Sequence, residues 1–362
     1  MADFSEYTGP SAEWVALEPT LPAPPDLSVE ELKAASNKFR EQAAAQAMVD
    51  EGLSSQVIIR DYVIPTRDGQ TIEAATYRPS ALPETQRLPV YIHLHGGGFL
   101  LGTLRSEDAI CSRVVAPLAA AGHPVVVVNV NYRHTPEHGY PTAWNDAEDA
   151  FHWVHEHVAQ IGGDGDSVVV GGISAGGWLT ASLTLAQHLG KDESLAKRPR
   201  IRGQILMIPC VLFSGHTNRQ VLARLRDPSV SSYVQNETAP ILPVTRAKLF
   251  MDLLKVTGGE ELERDLRLSP GNATADEVKG LPPATFGIAG RDILRDEGLL
   301  YAQLLSENGV PTDVNVFSGL PHGFRRYGNK LSESKRWDSV ICEGIKWTLS
   351  NPVANKFVVK VE

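Results

Sequence analysis

Residues Ser167 to Leu189 read SVVVGGISAGGWLTASLTLAQHL, and the interpretation of the whole chain starts from this stretch. It opens on a short apolar, β-branched run, which predicts a buried strand. From Trp178 onward, apolar residues recur at three- and four-residue intervals, which predicts a helix. Ser174 lies between the two, on the sharp strand-to-helix turn that holds a serine hydroxyl clear of its own backbone.

Two glycines bracket this serine. A tight turn crowds the positions two residues before and two residues after it, so Gly172 and Gly176 stand where a Cβ would clash. The pattern G-x-S-x-G is typical of a nucleophilic serine, although it also occurs by chance in glycine-rich loops. The interpretation therefore depends on the flanking strand and helix, and on further motifs along the chain.

The composition is that of an ordinary soluble globular protein. With 362 residues, the chain is long enough for one large α/β domain and a cap. Its formal net charge is −9, from 34 Lys and Arg against 43 Asp and Glu, and it has no basic run. This charge argues against nucleic acid as a partner.

The sequence also predicts the cellular location of the protein. No stretch is long and apolar enough to span a bilayer, and the first residues lack the basic and apolar regions of a signal peptide. The three cysteines, Cys111, Cys210 and Cys342, are too few and too scattered for a disulfide framework. We therefore expect a cytoplasmic enzyme that does not bind membranes.

The chain divides into an N-terminal segment and a larger domain. Residues 1–52 are predicted to form an irregular, proline-rich arm followed by a cap helix that begins at the capping box of Ser28 and Glu31. The arm contains Pro22, Pro24 and Pro25. Strands alternate with helices over residues 53–362, except for a largely helical cap insertion at about 211–264. This alternation predicts a mostly parallel sheet flanked by helices.

Chemically distinctive residues follow the predicted strands directly. His95 to Phe99 read HGGGF after one strand, and three glycines there expose backbone N–H groups. A phosphate-binding loop is the alternative, but it would need a Gly-Lys-Ser or Gly-Lys-Thr ending, which is absent. Asp292 and His322 each follow a later strand. Because ligands of parallel sheets bind at the carboxyl ends of the strands, these groups and Ser174 are expected to meet.

Three histidines in a predicted helix from Thr142 to about Ala159 raise the alternative of a metal site. They are His152, His155 and His157. Only the first two share a helix face, and no carboxylate or cysteine completes the set at ligand spacing. We expect no metal there, only a solvated helix surface.

Five motifs in this order resemble those of the hormone-sensitive-lipase-like (bacterial type IV) esterases. They are His95 to Phe99, Tyr132–Arg133 with Pro136–Glu137, Gly172 to Gly177, Asp292 to Gly298, and His322 to Phe324. The resemblance implies an α/β-hydrolase fold with a helical cap. It further implies a catalytic triad of Ser174 as nucleophile, His322 as base and Asp292 as the acid that orients the histidine. The backbone N–H groups of Gly97, Gly98 and Ala175 would form the oxyanion hole.

Two positions depart from the usual family pattern. Ile173 stands where an aspartate is usual, and Trp178 stands where a small polar residue is usual. Both are expected to shape the pocket. We predict that the pocket is apolar and restricted, and that it is lined by Phe99, Leu100, Trp178 and Phe213.

The resemblance implies a carboxylesterase that needs no metal or organic cofactor. Its expected partner is a small-molecule ester with a small to medium acyl or alcohol group, and a homodimer is one arrangement open to the chain. An amide or lactone hydrolase with the same triad is an alternative that the sequence does not separate. A lyase or ligand receptor on this fold is a more remote alternative, because all three triad residues are present.

Overall fold

A computed structural model describes residues 1–22, 27–214 and 222–361, and its framework is a nine-stranded sheet. The strands are β1 Val57–Pro65, β2 Thr71–Pro79, β3 Leu88–Leu94, β4 Val126–Asn131, β5 Gly163–Ile173, β6 Gly203–Met207, β7 Ala284–Arg291, β8 Thr312–Pro321 and β9 Val359–Lys360. Their spatial order is β1-β2-β4-β3-β5-β6-β7-β8-β9. Strand β2 is antiparallel to both β1 and β4, and every other neighbouring pair is parallel. The predicted mostly parallel sheet is confirmed.

Helices cover both faces of this sheet. They are α1 Ala12–Leu17, α2 Val29–Asp50, α3 Asp108–Ala120, α4 Thr142–Glu156, α5 Ala175–Leu189, α6 Glu193–Ala196, α7 Ser232–Gln235, α8 Val244–Leu253, α9 Ala275–Val278, α10 Arg295–Glu307 and α11 Glu333–Leu349. In the described part of the chain, none of them has the length and apolar character needed to cross a bilayer.

Strand β4 explains why the sheet is buried on both faces. Val126, Val128 and Val130 pack in the cluster that contains α4 and α5, whereas Val127 packs in the cluster that contains α3 and α11. Side chains of a strand alternate between the two faces, so an unbroken apolar run fills both cores. The strands that carry the site at their ends are therefore held by packing on both faces of the sheet.

The N-terminal segment differs from the irregular arm that the sequence predicted. Helix α1 begins after Ser11, whose hydroxyl accepts a hydrogen bond from the N–H of Trp14, and the Trp14 side chain is fully buried. A Cβ on Gly319 would lie 2.2 Å from the carbonyl oxygen of Gly9, so this segment packs directly on β8. Burial of Trp14 orders the segment. Pro24 and Pro25 lie outside the described residues.

The predicted cap segment contains short helices joined by irregular backbone. Helices α7 and α8 lie in it, and residues 215–221 are outside the described range. Helix α8 brings the ring of Phe250 onto the glycine loop after β3, where a Cβ on Gly98 would lie 2.2 Å from a Phe250 ring atom. The division into residues 1–52, residues 53–362 and a cap insertion stays a prediction.

The three histidines of and after α4 are not simply solvated, as the sequence suggested. All three side chains are half-buried, and His157 stacks on Trp153. Burial lowers the pKa of His155 to about 4, so that imidazole is neutral at physiological pH. The described residues contain no group of three His, Cys, Asp or Glu side chains placed to hold a metal ion.

Candidate active site

Ser174 occupies a strained turn between β5 and α5. Its backbone has φ 55° and ψ −112°, a conformation that non-glycine residues rarely adopt. The Ser174 N–H donates to the carbonyl oxygen of Met207 at 2.8 Å, which ties the turn to β6. The helix starts at Ala175, three residues before its predicted start, because the glycines after the serine already form its first turn.

The two glycines around the serine are required by sterics. A Cβ on Gly172 would lie 2.3 Å from the carbonyl carbon of Gly176. A Cβ on Gly176 would lie 1.9 Å from the carbonyl oxygen of Leu94, at the end of β3. Both distances are far below van der Waals contact, and the atoms met are backbone atoms that a rotamer change cannot move. The predicted reason for these glycines is therefore confirmed.

Gly176→Ala is expected to lower the free energy of unfolding by about 3 kcal/mol, near the upper end of what overpacking costs. The reason is the overlap with Leu94. Gly190→Ala is the matched control at the other end of α5, because Gly190 has φ 63° but its nearest prospective neighbour is 3.9 Å away. That control should cost only about 1 kcal/mol. Urea unfolding measures both, and equal losses would contradict the steric explanation.

A chain of hydrogen bonds joins the three side chains predicted as a triad. The Ser174 Oγ lies 2.9 Å from Nε2 of His322, and Nδ1 of His322 lies 2.7 Å from a carboxylate oxygen of Asp292. Asp292 is fully buried and His322 is nearly so. The other carboxylate oxygen of Asp292 accepts from the N–H of Leu294 at 3.0 Å, which fixes its orientation.

The predicted oxyanion residues lie on both sides of this serine. Gly97 has φ 144° and Gly98 has φ 61°, so the loop after β3 takes a path that glycine favours. A Cβ on Gly97 would lie 1.9 Å from the carbonyl oxygen of Leu101. Within the described residues, the N–H groups of Gly97, Gly98 and Ala175 donate to no backbone carbonyl. Their role as an oxyanion hole stays a prediction.

The buried rings of His95 and Tyr132 stabilise the glycine loop. The ring of His95 stacks on Tyr132 with centroids 4.3 Å apart, and the Tyr132 hydroxyl donates to the His95 carbonyl oxygen at 2.6 Å. Burial lowers the pKa of His95 to about 4, which keeps this imidazole neutral. The His95 and Tyr132 residues of the sequence motifs thus shape the loop.

Helix α2 holds the same loop from the other side, which the sequence analysis missed. Arg40 donates to the carbonyl oxygen of Gly96 at 2.9 Å and pairs with the buried Glu107 at 2.8 Å. Asn37 accepts from the N–H of Gly102 at 2.8 Å. Burial would raise the pKa of Glu107, but Arg40 and His93 outweigh it and hold that pKa below its usual range. The sequence signal that could have indicated these contacts was the spacing of polar residues along one face of α2.

The loop that carries Asp292 is anchored to α7. Asn236 donates to the Asp292 carbonyl oxygen at 3.1 Å, and the Ser232 N–H donates to the carboxylate of Asp296 at 2.7 Å. The hydroxyl of Tyr233 bonds to Glu297, whose pKa burial raises to about 8. Asp296 is therefore a buried partner of the cap segment, and not only the helix-start residue that the sequence suggested.

The four predicted pocket residues are more buried than an open pocket requires. Phe99, Leu100 and Trp178 are almost fully buried, and Phe213 is half-buried. Phe99 stacks on Trp144 at 4.7 Å and contacts Trp178 at 5.6 Å. These rings form a packed aromatic wall. Their role as an acyl pocket stays a prediction.

Comparison with known proteins places this geometry in a family. A model of the alpha/beta hydrolase fold family matches residues 91–326, which is more than half of the chain. Esterase LipI of Mycobacterium tuberculosis is 35% identical over 69% of this chain and 70% of that protein. Ethyl acetate hydrolase of Pseudomonas putida is 31% identical over 80% of this chain and 82% of that protein.

Solved structures agree with these relatives. A thermostable esterase from Pseudomonas putida superposes with a TM-score of 0.76 and 29% identity, over 94% of this chain and 98% of that one. Vibralactone cyclase superposes with a TM-score of 0.83, over 97% of both chains, at 24% identity, and it supports the fold alone. The chain belongs to the α/β-hydrolase fold family, in its hormone-sensitive-lipase-like group of esterases. It is a carboxylic ester hydrolase.

Proposed function

We propose that this enzyme cleaves esters with small to medium acyl or alcohol groups through an acyl-enzyme on Ser174, in the cytoplasm. The observation that carries the proposal is the hydrogen-bonded chain from the Ser174 hydroxyl through His322 to Asp292, with distances of 2.9 and 2.7 Å. A nucleophile, a base and an orienting acid at these distances are what acyl transfer requires.

Acylation begins at the serine hydroxyl. Nε2 of His322 accepts the Ser174 proton while Oγ attacks the carbonyl carbon of the ester. Nδ1–H of His322 donates to Asp292, which keeps Nε2 free to accept and stabilises the imidazolium that forms. His322 then gives the proton to the alcohol leaving group, which departs as the acyl-enzyme forms.

Negative charge develops on the former carbonyl oxygen during this attack. The N–H groups of Gly97, Gly98 and Ala175 would bind it, and the loss of one such donor typically raises the barrier by about 3 kcal/mol. Water then attacks the acyl-enzyme with His322 as base, which releases the carboxylic acid and restores Ser174. Every step uses groups of the chain and water.

A fluorophosphonate probe tests the proposal directly. We expect one adduct per chain, located by peptide mass spectrometry on the peptide that contains Ser174, and a loss of para-nitrophenyl butyrate hydrolysis in proportion to the labelled fraction. Hydrolysis that continues after complete labelling would exclude the acyl-enzyme mechanism.

The enzyme is expected to prefer short acyl chains. Hydrolysis of para-nitrophenyl butyrate should exceed that of the palmitate ester by at least about tenfold in kcat/KM, or ~1.4 kcal/mol. The reason is the Phe250 ring over Gly98 and the packed aromatic wall behind it, which restrict the acyl group. Phe250→Ala should reduce the ratio of kcat/KM for the butyrate ester to kcat/KM for the palmitate ester. A rate that jumps when triolein passes its solubility limit would indicate a lipase instead.

A further inference from the structure

Arg326 lies immediately beyond the catalytic histidine and turns back toward it. It follows His322 by four residues, and its N–H donates to the carbonyl oxygen of Gly323 at 3.2 Å. Its terminal nitrogen Nη2 lies 3.5 Å from the position that a Cβ on Gly323 would take. The guanidinium therefore lies against the backbone beside His322.

The side chain of Arg326 is accessible to a ligand. The side chain is exposed to water, yet enough protein surrounds the guanidinium to lower the pKa of Arg326 to about 10. Because the exposed guanidinium lies against the backbone beside His322, it is open to a substrate bound at the proposed triad.

Arg326 has no anionic partner in the described part of the chain. No carboxylate there lies within ion-pairing distance of it, and its side chain makes no hydrogen bond. The adjacent Arg325 differs, because it binds both carboxylate oxygens of Asp338 at 2.9 and 2.7 Å. A buried or half-desolvated cation without a partner is unfavourable, so this contrast indicates that Arg326 serves a ligand.

Two more arginines lie on elements that contact the proposed oxyanion loop. Arg246 lies one turn before Phe250 on α8, and Phe250 covers Gly98 of the proposed oxyanion loop. Arg246 donates to the carbonyl oxygen of Ile241 and has no carboxylate partner among the described residues. Arg40 holds the loop from α2. Arg40 and Arg246 therefore both lie on elements that contact the loop after β3. Burial lowers the pKa of Arg326, and the positive charges of Arg40 and Arg246 lower it further.

We propose that Arg326, supported by Arg246, binds a carboxylate carried by the ester substrate. This inference rests on the proposed ester hydrolysis and names its substrate class. Arg326 and Arg246 both lack a carboxylate partner in the described part of the chain, and a substrate carboxylate would accept charge-assisted hydrogen bonds from Arg326. The substrate is then a half-ester of a dicarboxylic acid, or an ester of a hydroxy acid.

Matched esters test the proposal on both sides of the scissile bond. For the acyl side, the para-nitrophenyl monoester of glutaric acid is compared with the para-nitrophenyl ester of pentanoic acid. For the alcohol side, meta-acetoxybenzoate is compared with meta-acetoxybenzamide. The wild-type enzyme should favour the anionic ester in one of the two pairs, and that pair identifies the side that carries the carboxylate. Added salt should weaken the preference.

Substitution of the arginine should remove this preference. Arg326→Gln is expected to lower the ratio of kcat/KM for the anionic ester to that for its neutral match by about 10- to 100-fold, mainly through KM, because a hydrogen bond to a charged group contributes roughly that factor. Arg326→Lys should restore part of the ratio. Arg325→Gln, the matched control, should leave the ratio unchanged.

A binding measurement separates this proposal from the proposed catalytic mechanism. In the Ser174→Ala background, calorimetry with the preferred anionic ester should show binding that weakens at least about tenfold when Arg326→Gln is added. This result supports the subsite even if the mechanism is wrong. Normal hydrolysis of neutral esters, with anionic preference absent or unaffected by Arg326→Gln, would overturn the subsite and leave the mechanism standing.

Discussion

Ser174→Ala is expected to lower kcat for para-nitrophenyl butyrate by about 10⁶-fold, the scale seen when the nucleophile of such a triad is removed. The variant keeps the strand, the turn and the helix, but it has no oxygen to attack the ester. Fluorophosphonate labelling should disappear with the activity. The fold should persist, since only one hydroxyl is lost at a position where alanine introduces no new atom.

Ser182→Ala is the matched control for this prediction. Ser182 lies on α5, the helix that begins directly after Ser174, and it is buried. Its replacement should leave both labelling and kcat close to those of the wild type. Labelling that survives in Ser174→Ala but is lost in another serine variant would identify that other serine as the nucleophile. Circular dichroism of all variants confirms that the comparison is between folded proteins.

Asp292→Asn is expected to lower kcat by about 10⁴-fold. The carboxylate of Asp292 accepts the Nδ1–H of His322 at 2.7 Å, which leaves Nε2 free to take the proton of Ser174. An asparagine that presents its NH₂ group to Nδ1 favours the opposite tautomer, in which Nε2 carries the proton and cannot act as a base. Steady-state kinetics with para-nitrophenyl butyrate measure the remaining kcat.

Asp296→Asn is the informative comparison, because Asp296 is a second buried carboxylate four residues away. It pairs with the fully buried Arg295 at 2.8 Å and accepts from the N–H of Ser232. Its replacement weakens a buried ion pair, for which removal of a partner costs about 3 to 5 kcal/mol of stability. At a temperature where both variants are folded, Asp296→Asn should keep most of its activity. The reverse ranking would falsify the assignment of Asp292.

The motifs around the site were predictable because each rests on a local rule. The glycines at 172 and 176 follow from steric crowding at one turn, and the strands before Ser174, Asp292 and His322 follow from apolar runs. Parallel strands end at one edge, so their terminal residues meet there. The capping box of Ser28 and Glu31 and the start of α2 were predictable for the same reason.

Contacts between distant segments were not predictable in this way. The sequence places Arg40 on a helix, but nothing local to that helix indicates that its guanidinium reaches Gly96. Phe250 was recognisable as an apolar residue of the cap, but not as the ring that covers Gly98. Trp14 lies in a segment that looks irregular, and its burial against the rest of the fold is what orders α1.

The sequence by itself determined the mostly parallel sheet flanked by helices and the glycines that the turn requires, because these depend on residues close together in the chain. The resemblance of its motifs to a known family added the α/β-hydrolase fold and the three triad candidates. Only the tertiary structure decided which charges surround the site. Arg40, Arg246 and Arg326 come from three separate elements, and they approach the site only once α2, α8 and the segment after β8 are packed together. Electrostatic interaction depends on distance in space and not on separation along the chain, so the charge around the site is a property of the fold.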